Sequence, residues 1–243
     1  MAQILNGKLV AQKTRERLRR EVAELAEEGI VPGLAGVLVG NDVGSQVYVR
    51  NKTRACEELG ICSWQYNLPE DTAQAVLLEL IEKLNANPEV HGILVQSPLP
   101  AQIDESLVTN YIRPEKDVDA FHPFNVGRIM LGDYTYLPCT PAGIMEILRE
   151  YGIDPAGKHC VVVGRSHIVG RPMSMLMLHA NATVTICHSH TRDLASHTRR
   201  ADILVAAVGR ERFITADMIK EGAVVIDVGM NRDAEGKLCG DVD

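Results

Sequence analysis

The chain is poor in aromatic residues. Phe, Trp and Tyr make up 4% of its 243 residues, with a single Trp, so a core must rest on Val, Ile, Leu and Ala. Paired cysteines are missing as well. The six cysteines (56, 62, 139, 160, 187 and 239) are scattered with no C-x-x-C spacing, which argues against a zinc site or a disulfide framework. Several lie in apolar runs, where a free thiol behaves as a small hydrophobe. No apolar run reaches about 18 residues, and MAQILNGKLVAQK carries no apolar signal core, so the chain reads as cytoplasmic with no membrane partner. Basic excess is lacking too. A net charge of −7 speaks against nucleic acid as the main partner, because phosphate-backbone binding needs a clustered basic surface. A small anionic ligand held by a few local cations stays open. There is no internal repeat and no low-complexity segment.

What is present is alternation. Val10, Leu18, Val22 and Leu25 mark one face of an opening helix, at helical spacing. Strands are expected over 34–40, 62–68 and 92–96, with helices over 45–59 and 73–85 between them. A loop-rich stretch, RPEKDVDAFHPFNVGRIMLGD, interrupts the rhythm over 113–133. After PCTPAG a helix over 143–151 leads into strands at 160–163, 183–187, 203–207 and 224–228. Strands separated by helical crossovers imply parallel pairing with helices on both faces. The fold class is therefore α/β in two lobes, an N-terminal α/β domain over 1–137 and a C-terminal Rossmann-like domain with a parallel sheet over 138–243.

The second lobe contains CVVVGRSHIVGRP, residues 160–172. A strand ending at Gly164 and a helix opening near Val169 would aim free N–H groups at the turn, a site that favours an anion. The spacing departs from G-x-G-x-x-G: Ser166 stands at the second glycine, Val169 at the third, and Gly170 comes one residue late. Ser166 could offer a hydroxyl to a phosphate and Arg165 a cation with a donor fork. An NAD-binding unit usually ends its second strand with Asp or Glu about 20 residues after the loop. Here that strand runs into ICHSHTRD with Ser189 at the spot. No carboxylate there would repel a 2′-phosphate, so the bias is towards NADP. By itself, the turn also reads as no more than a strand running into a helix at the surface.

The first lobe offers SQVYVRNK, with Tyr48 and Lys52 at i, i+4, a spacing that puts both on one helix face. A third strand ends at Gln96, where ligands of open α/β sheets bind, and a loop follows with Lys116, Asp117 and Asp119. Singly, each of these residues reads more simply as a solvated lysine, a half-buried tyrosine or an acidic loop. Tyr-x-x-x-Lys also occurs in short-chain dehydrogenases. In those the glycine loop precedes it, whereas here Lys52 comes 112 residues before Gly164.

Taken together, YVRNK, VQSPLP, KDVDAFHPFNVG, PCTPAG, GRSHIVGRP, TVTICHS and IDVGMNR occur in the order seen in the methylenetetrahydrofolate dehydrogenase/methenyltetrahydrofolate cyclohydrolases. The chain resembles that bifunctional folate family from end to end, and the family's GRS-x-x-VG loop has the same non-standard glycine spacing. The resemblance implies tetrahydrofolate on the first lobe and NADP on the second, in one-carbon folate metabolism. It implies a catalytic lysine at Lys52, a pterin-stacking tyrosine at Tyr48, a lysine-tuning glutamine at Gln96 and a pterin-gripping aspartate at Asp119. The cofactor would meet Gly164, Arg165 and Ser166, with Ser189 beside the 2′-phosphate and Met230 touching it through its backbone. No metal is implied, and a homodimer through the cofactor lobe is. A free lysine, titrating near about 10.4, is charged at neutral pH; beside a cationic substrate it would be driven towards its basic form. A dehydrogenase with little hydrolase activity would not need both Lys52 and Gln96.

The sequence departs from the family pattern at three places. Ser97 replaces the leucine usual in VQLPLP, and Ala120 the glycine usual in KDVDGFH. Alanine carries a steric penalty wherever φ must be positive. The family normally continues beyond the Gly240–Asp243 position through a Pro-Gly-Gly-Val-Gly-Pro-Met-Thr segment into a helix that returns to the first lobe and helps wall the folate site. A chain ending there would leave that site open or bind its ligands without turnover.

Overall fold

The computed structural model describes residues 3–243. The chain divides within one helix into two compact units, Asn6–Val126 and Gly127–Asp243, and Leu5 joins the second. The first unit opens with α1 (Gly7–Glu27), whose N-cap Asn6 accepts from the backbone N–H of Lys8 and Leu9. Its apolar stripe is thinner than expected: Val10 is buried, Leu18 and Val22 are half-buried, and Leu25 is 36% exposed.

β1 (Gly33–Val39), β2 (Cys62–Leu68) and β3 (Gly92–Val95) form a three-stranded parallel sheet in the order β2-β1-β3. The connections are α2 (Val43–Leu59) and α3 (Gln74–Ala86), as parallel pairing requires. Alternate residues of β1, Ala35, Val37 and Val39, face a core shared with Leu77, Ile81 and Leu84 of α3. Asp42 starts α2 by accepting from the N–H of Ser45 at 2.7 Å, and Gly60 ends it in the left-handed conformation at φ 80°. These caps set the frame in which Tyr48 and Lys52 lie one turn apart. The loop-rich stretch is more ordered than expected. α4 (Glu105–Tyr111) ends just before it, α5 (Pro123–Leu131) lies inside it, and the division between the units falls within α5.

The second unit follows α6 (Cys139–Glu150) with β4 (His159–Val163), α7 (Gly170–His179), β5 (Thr183–Cys187), α8 (Leu194–Thr198), β6 (Ile203–Ala206) and β7 (Val224–Asp227). The sheet is parallel in the order β5-β4-β6-β7. After His159, β4 is apolar from Cys160 to Val163 because both its faces are covered. Cys160 and Val162 pack with Ile144, Leu148, Met173 and Met177, whereas Val161 and Val163 pack with Ala201, Leu204 and Ile214. A short antiparallel ribbon, β8 (Asn231–Arg232) with β9 (Leu238–Cys239), closes the chain. The architecture is mixed α/β with parallel sheets. Among the described residues no helix is long and apolar enough to cross a membrane, and all six cysteines are free thiols.

Candidate active site

In the first unit, Lys52 Nζ donates to Gln96 Oε1 at 3.1 Å. Gln96 continues the β3 ladder by donating its backbone N–H to Val37 O at 2.8 Å, so the carboxyl end of the sheet fixes its backbone. Its Nε2 donates to Ser97 O at 2.8 Å, which leaves the amide oxygen to the lysine. Tyr48, one turn before Lys52, is 45% exposed. Asp119 arrives from the following loop. Burial pushes its carboxyl above the ordinary range and Asp117 adds to that, while the Lys52 charge pulls it down. Lys52 thus lies within hydrogen-bond reach of Gln96 and within electrostatic reach of Asp119. Among the described residues the Asp119 carboxylate accepts no hydrogen bond, so its lone pairs are open to a ligand's N–H groups.

Sequence reasoning missed what shapes this loop. Asp117 is 3% exposed, and its Oδ2 accepts from His122 N at 2.8 Å and from Asn125 Nδ2 at 2.9 Å. Its carbonyl accepts from Ala120 N at 3.2 Å, closing a turn around Asp119. Ala120 is buried at φ 57°, in the left-handed region where glycine is at ease. The neighbouring Lys116 is no chemical group: its Nζ donates to the carbonyls of Leu84 and Asn87, capping α3. Ser97 binds Glu105 in the first turn of α4, Oγ to Oε1 at 2.5 Å, a contact a leucine could not make.

In the second unit the glycine turn answers its odd spacing. Gly164 has φ 127°, and a Cβ there would lie 2.2 Å from Ala207 O. A Cβ at Gly170 would lie 2.3 Å from Gly164 O. Gly170 therefore does the close strand–helix packing that the third fingerprint glycine normally does, with the loop one residue longer. The helix start differs from expectation. Val169 N and Gly170 N donate to Ser166 Oγ at 3.2 and 3.3 Å, and Arg171 N donates to Ser166 O at 3.0 Å. Pro172 has no N–H. The first donors of α7 are thus taken by Ser166 as a cap, and an anion at this turn must rely on side chains and the N–H groups before Val169.

Those side chains are at hand. Arg165 and Ser166 are exposed. The Arg165 charge reaches His188, whose ring is held below its usual range by burial first, then by Arg165 and His190. Ser189 sits exposed in a turn closed by Thr191, whose Oγ1 accepts from His188 N at 2.8 Å. The nearest downstream carboxylate, Asp193, is spent capping α8 through Ser196 N at 3.3 Å. Met230 follows β7 and is 65% exposed. A bare backbone turn at the carboxyl end of a parallel sheet, an arginine and no free carboxylate fit a cofactor with a ribose phosphate. Among the described residues no group of three His, Cys, Asp or Glu could hold a metal ion.

Comparison with known proteins follows the same division. Residues 5–119 match the family model described as the tetrahydrofolate dehydrogenase/cyclohydrolase catalytic domain, and residues 138–243 match that family's NAD(P)-binding domain. The chain is 59% identical over 244 residues to the bifunctional protein FolD of Magnetococcus marinus, covering 100% of this chain and 86% of that protein. It is 61% identical over 241 residues to that of Moorella thermoacetica, covering 99% and 86%. Among solved structures, the bifunctional FolD enzyme of Campylobacter jejuni is similar with a TM-score of 0.97 at 48% identity, over 99% of this chain and 86% of that one. The Trypanosoma brucei FolD, complexed with NADP cofactor and inhibitor, is similar with a TM-score of 0.93 at 38% identity, over 99% and 85%.

Proposed function

The chain belongs to the tetrahydrofolate dehydrogenase/cyclohydrolase family, and from that premise we propose that Lys52 is the residue on which its hydrolytic step turns. The protein is a bifunctional enzyme of one-carbon folate metabolism. It oxidises 5,10-methylenetetrahydrofolate to the methenyl form with NADP, then hydrolyses that cation to 10-formyltetrahydrofolate. NADP, when bound, supplies the hydride acceptor.

The chain's own residues supply positioning, charge and proton transfer. Asp119 accepts from the amino and ring N–H groups of the pterin, and Tyr48 stacks on its ring. For hydrolysis, water adds its oxygen to the bridge carbon while neutral Lys52 takes a water proton. The C–N5 bond then breaks as N5 gains a proton from the Lys52 ammonium, the carbon keeps its oxygen as the formyl group on N10, and one proton leaves to solvent. Gln96 holds the amine in place without adding charge. The observation that carries this reading is the 3.1 Å bond from Lys52 Nζ to Gln96 Oε1 with the Asp119 carboxylate in reach.

On the cofactor side, Gly164 keeps the turn bare, Arg165 and Ser189 take the 2′-phosphate, Ser166 offers its hydroxyl proton while its oxygen caps α7, and Met230 presents its backbone. Residues 1–137 hold the folate and 138–243 the NADP, in a cytoplasmic homodimer. Lys52→Met tests the central assignment. Methenyl hydrolysis falls by about 10²–10⁴-fold, the usual worth of a general base, while NADP affinity by titration stays at the wild-type value. Unchanged hydrolysis would refute it.

A further inference from the structure

Asp241 is fully buried, at 0% exposure. Its Oδ2 accepts from Val208 N at 2.6 Å and Gly209 N at 3.1 Å, and its Oδ1 from Arg210 N and Asn231 Nδ2, both at 2.8 Å. Three successive backbone N–H groups converging on one anion make a nest. Such concavities elsewhere take an external phosphate; this one takes the chain's own carboxylate. A buried charge of this kind is tolerable because each oxygen has two donors.

The carboxylate lies between the loops that leave two neighbouring strands. Residues 208–210 follow β6, and Asn231 follows β7. A Cβ at Gly229 would sit 2.3 Å from Asp241 Oδ1, so the carboxylate also rests against the backbone just before Met230. Met230 is therefore gripped on both sides while its own side chain points outward at 65% exposure. Asp227 locks the arrangement from below: its Oδ1 accepts from Gly229 N and Asp241 N, both at 2.9 Å, and its Oδ2 from Val242 N at 3.1 Å. On the β4 side, a Cβ on Gly164 would come within 2.2 Å of Ala207 O, so the start of the β6 loop packs against that turn. One carboxylate thus ties together the carboxyl-end loops of β6 and β7, beside the Gly164 turn that packs on Ala207, at the end of the sheet where ligands of parallel sheets bind.

We infer that Asp241 is a positioning residue for NADP, holding the Ala207–Arg210 and Gly229–Asn231 backbones in the shape the cofactor meets. It touches neither substrate nor cofactor. The inference rests on the assignment of Met230 and the Gly164 turn to NADP. Asp241→Asn keeps the shape but turns an amide N–H₂ towards N–H donors, and Asn231→Ala removes only the bond beside Met230.

Three readouts on the full chain test it: NADP Kd by titration calorimetry, melting temperature, and hydrolysis of methenyltetrahydrofolate without cofactor. Asp241→Asn is expected to raise the Kd at least tenfold and Asn231→Ala several-fold, with cofactor-free hydrolysis within twofold of wild type. Wild-type Kd in both variants overturns the inference, and so does a parallel fall of binding and hydrolysis, which would mark Asp241 as a general folding element. Should Asp241→Asn not fold, the Kd of Asn231→Ala decides alone. Arg165→Ala separates the two levels. If it too binds NADP normally, the assignment of the turn has failed; if it binds weakly beside an unaffected Asp241→Asn, only the positioning role has.

Discussion

Adding one methyl group at Gly170 tests whether the glycine turn works by close packing. Gly170 is the first residue of α7 and its backbone is helical, so alanine meets no conformational objection there. Helix propensity alone would favour it by up to about 1 kcal/mol. The added Cβ would instead lie 2.3 Å from Gly164 O, 2.6 Å from Gly164 C and 2.8 Å from Arg165 N. All three are backbone atoms that no rotamer change can move. Ordinary contact needs roughly 3.5 Å, so the turn or the helix must shift by about 1 Å. Overpacking of that kind costs about 1–3 kcal/mol, which matches or exceeds the propensity gain of up to about 1 kcal/mol and, in the middle to upper part of that range, leaves a net loss of roughly 1–2 kcal/mol. For a chain of this size each kcal/mol lowers Tm by about 2–4 °C. The same shift moves Arg165 and Ser166, so NADP Kd should rise on the order of 10-fold to 100-fold. Gly143→Ala in α6 is the control. A Cβ there meets nothing within 4 Å, and the variant should gain about 0.5–1 kcal/mol. A Gly170→Ala protein with unchanged or raised Tm and wild-type Kd would refute the packing argument.

Two further outcomes follow from burial. The Asp119 carboxyl is held above its ordinary range, chiefly by burial, so the folded state binds that proton more tightly than the unfolded chain does. The resulting cost is absent below the ordinary value of 3.8 and grows as pH rises through the raised folded value. The Tm advantage of Asp119→Asn over wild type should therefore widen between about pH 4 and pH 7; an advantage that does not change with pH contradicts the burial effect. Burial also pushes the Cys160 thiol up to about 12, while Cys139 is exposed. Iodoacetamide at about pH 8 should label Cys139 first and Cys160 only on unfolding, since the thiolate is the reactive form. Equal rates in the folded protein would show that the core opens.

The parallel strands were the legible part. β2 and β5 fall on the expected 62–68 and 183–187, because these edge strands alternate apolar residues (Trp64, Tyr66 and Leu68; Val184 and Ile186) with polar ones between turn residues. α5 was hidden. Its Pro123 and Gly127 look like breakers in a loop, yet proline is at ease at the first helical position. Lys52 and Gln96 lie 44 residues apart on a helix and a strand end, so no local spacing pairs them; only the resemblance put them together. Ser166 was legible as a polar group in the turn, but not as the cap of α7, because the extra loop residue is what brings its hydroxyl under the helix. Asp241 left no periodic signal at all: a buried acid is recognised by its donors, and they come from four separate positions.

The same reasoning explains how Ala120 is accommodated beside Asp119. Left-handed backbone costs a non-glycine residue about 1–2 kcal/mol, and burying the alanine methyl returns only about 0.8 kcal/mol. Something else must hold the turn at φ 57°. That something is Asp117. Its buried carboxylate takes His122 N and Asn125 Nδ2, and its carbonyl takes Ala120 N. Two acids two residues apart thereby divide the work: Asp117 spends its acceptors on the protein and shapes the loop, and Asp119 keeps its own for a ligand. Glycine is the easy way to reach this conformation and not the cause of it, so the loop can present Asp119 to Lys52 with alanine in glycine's place.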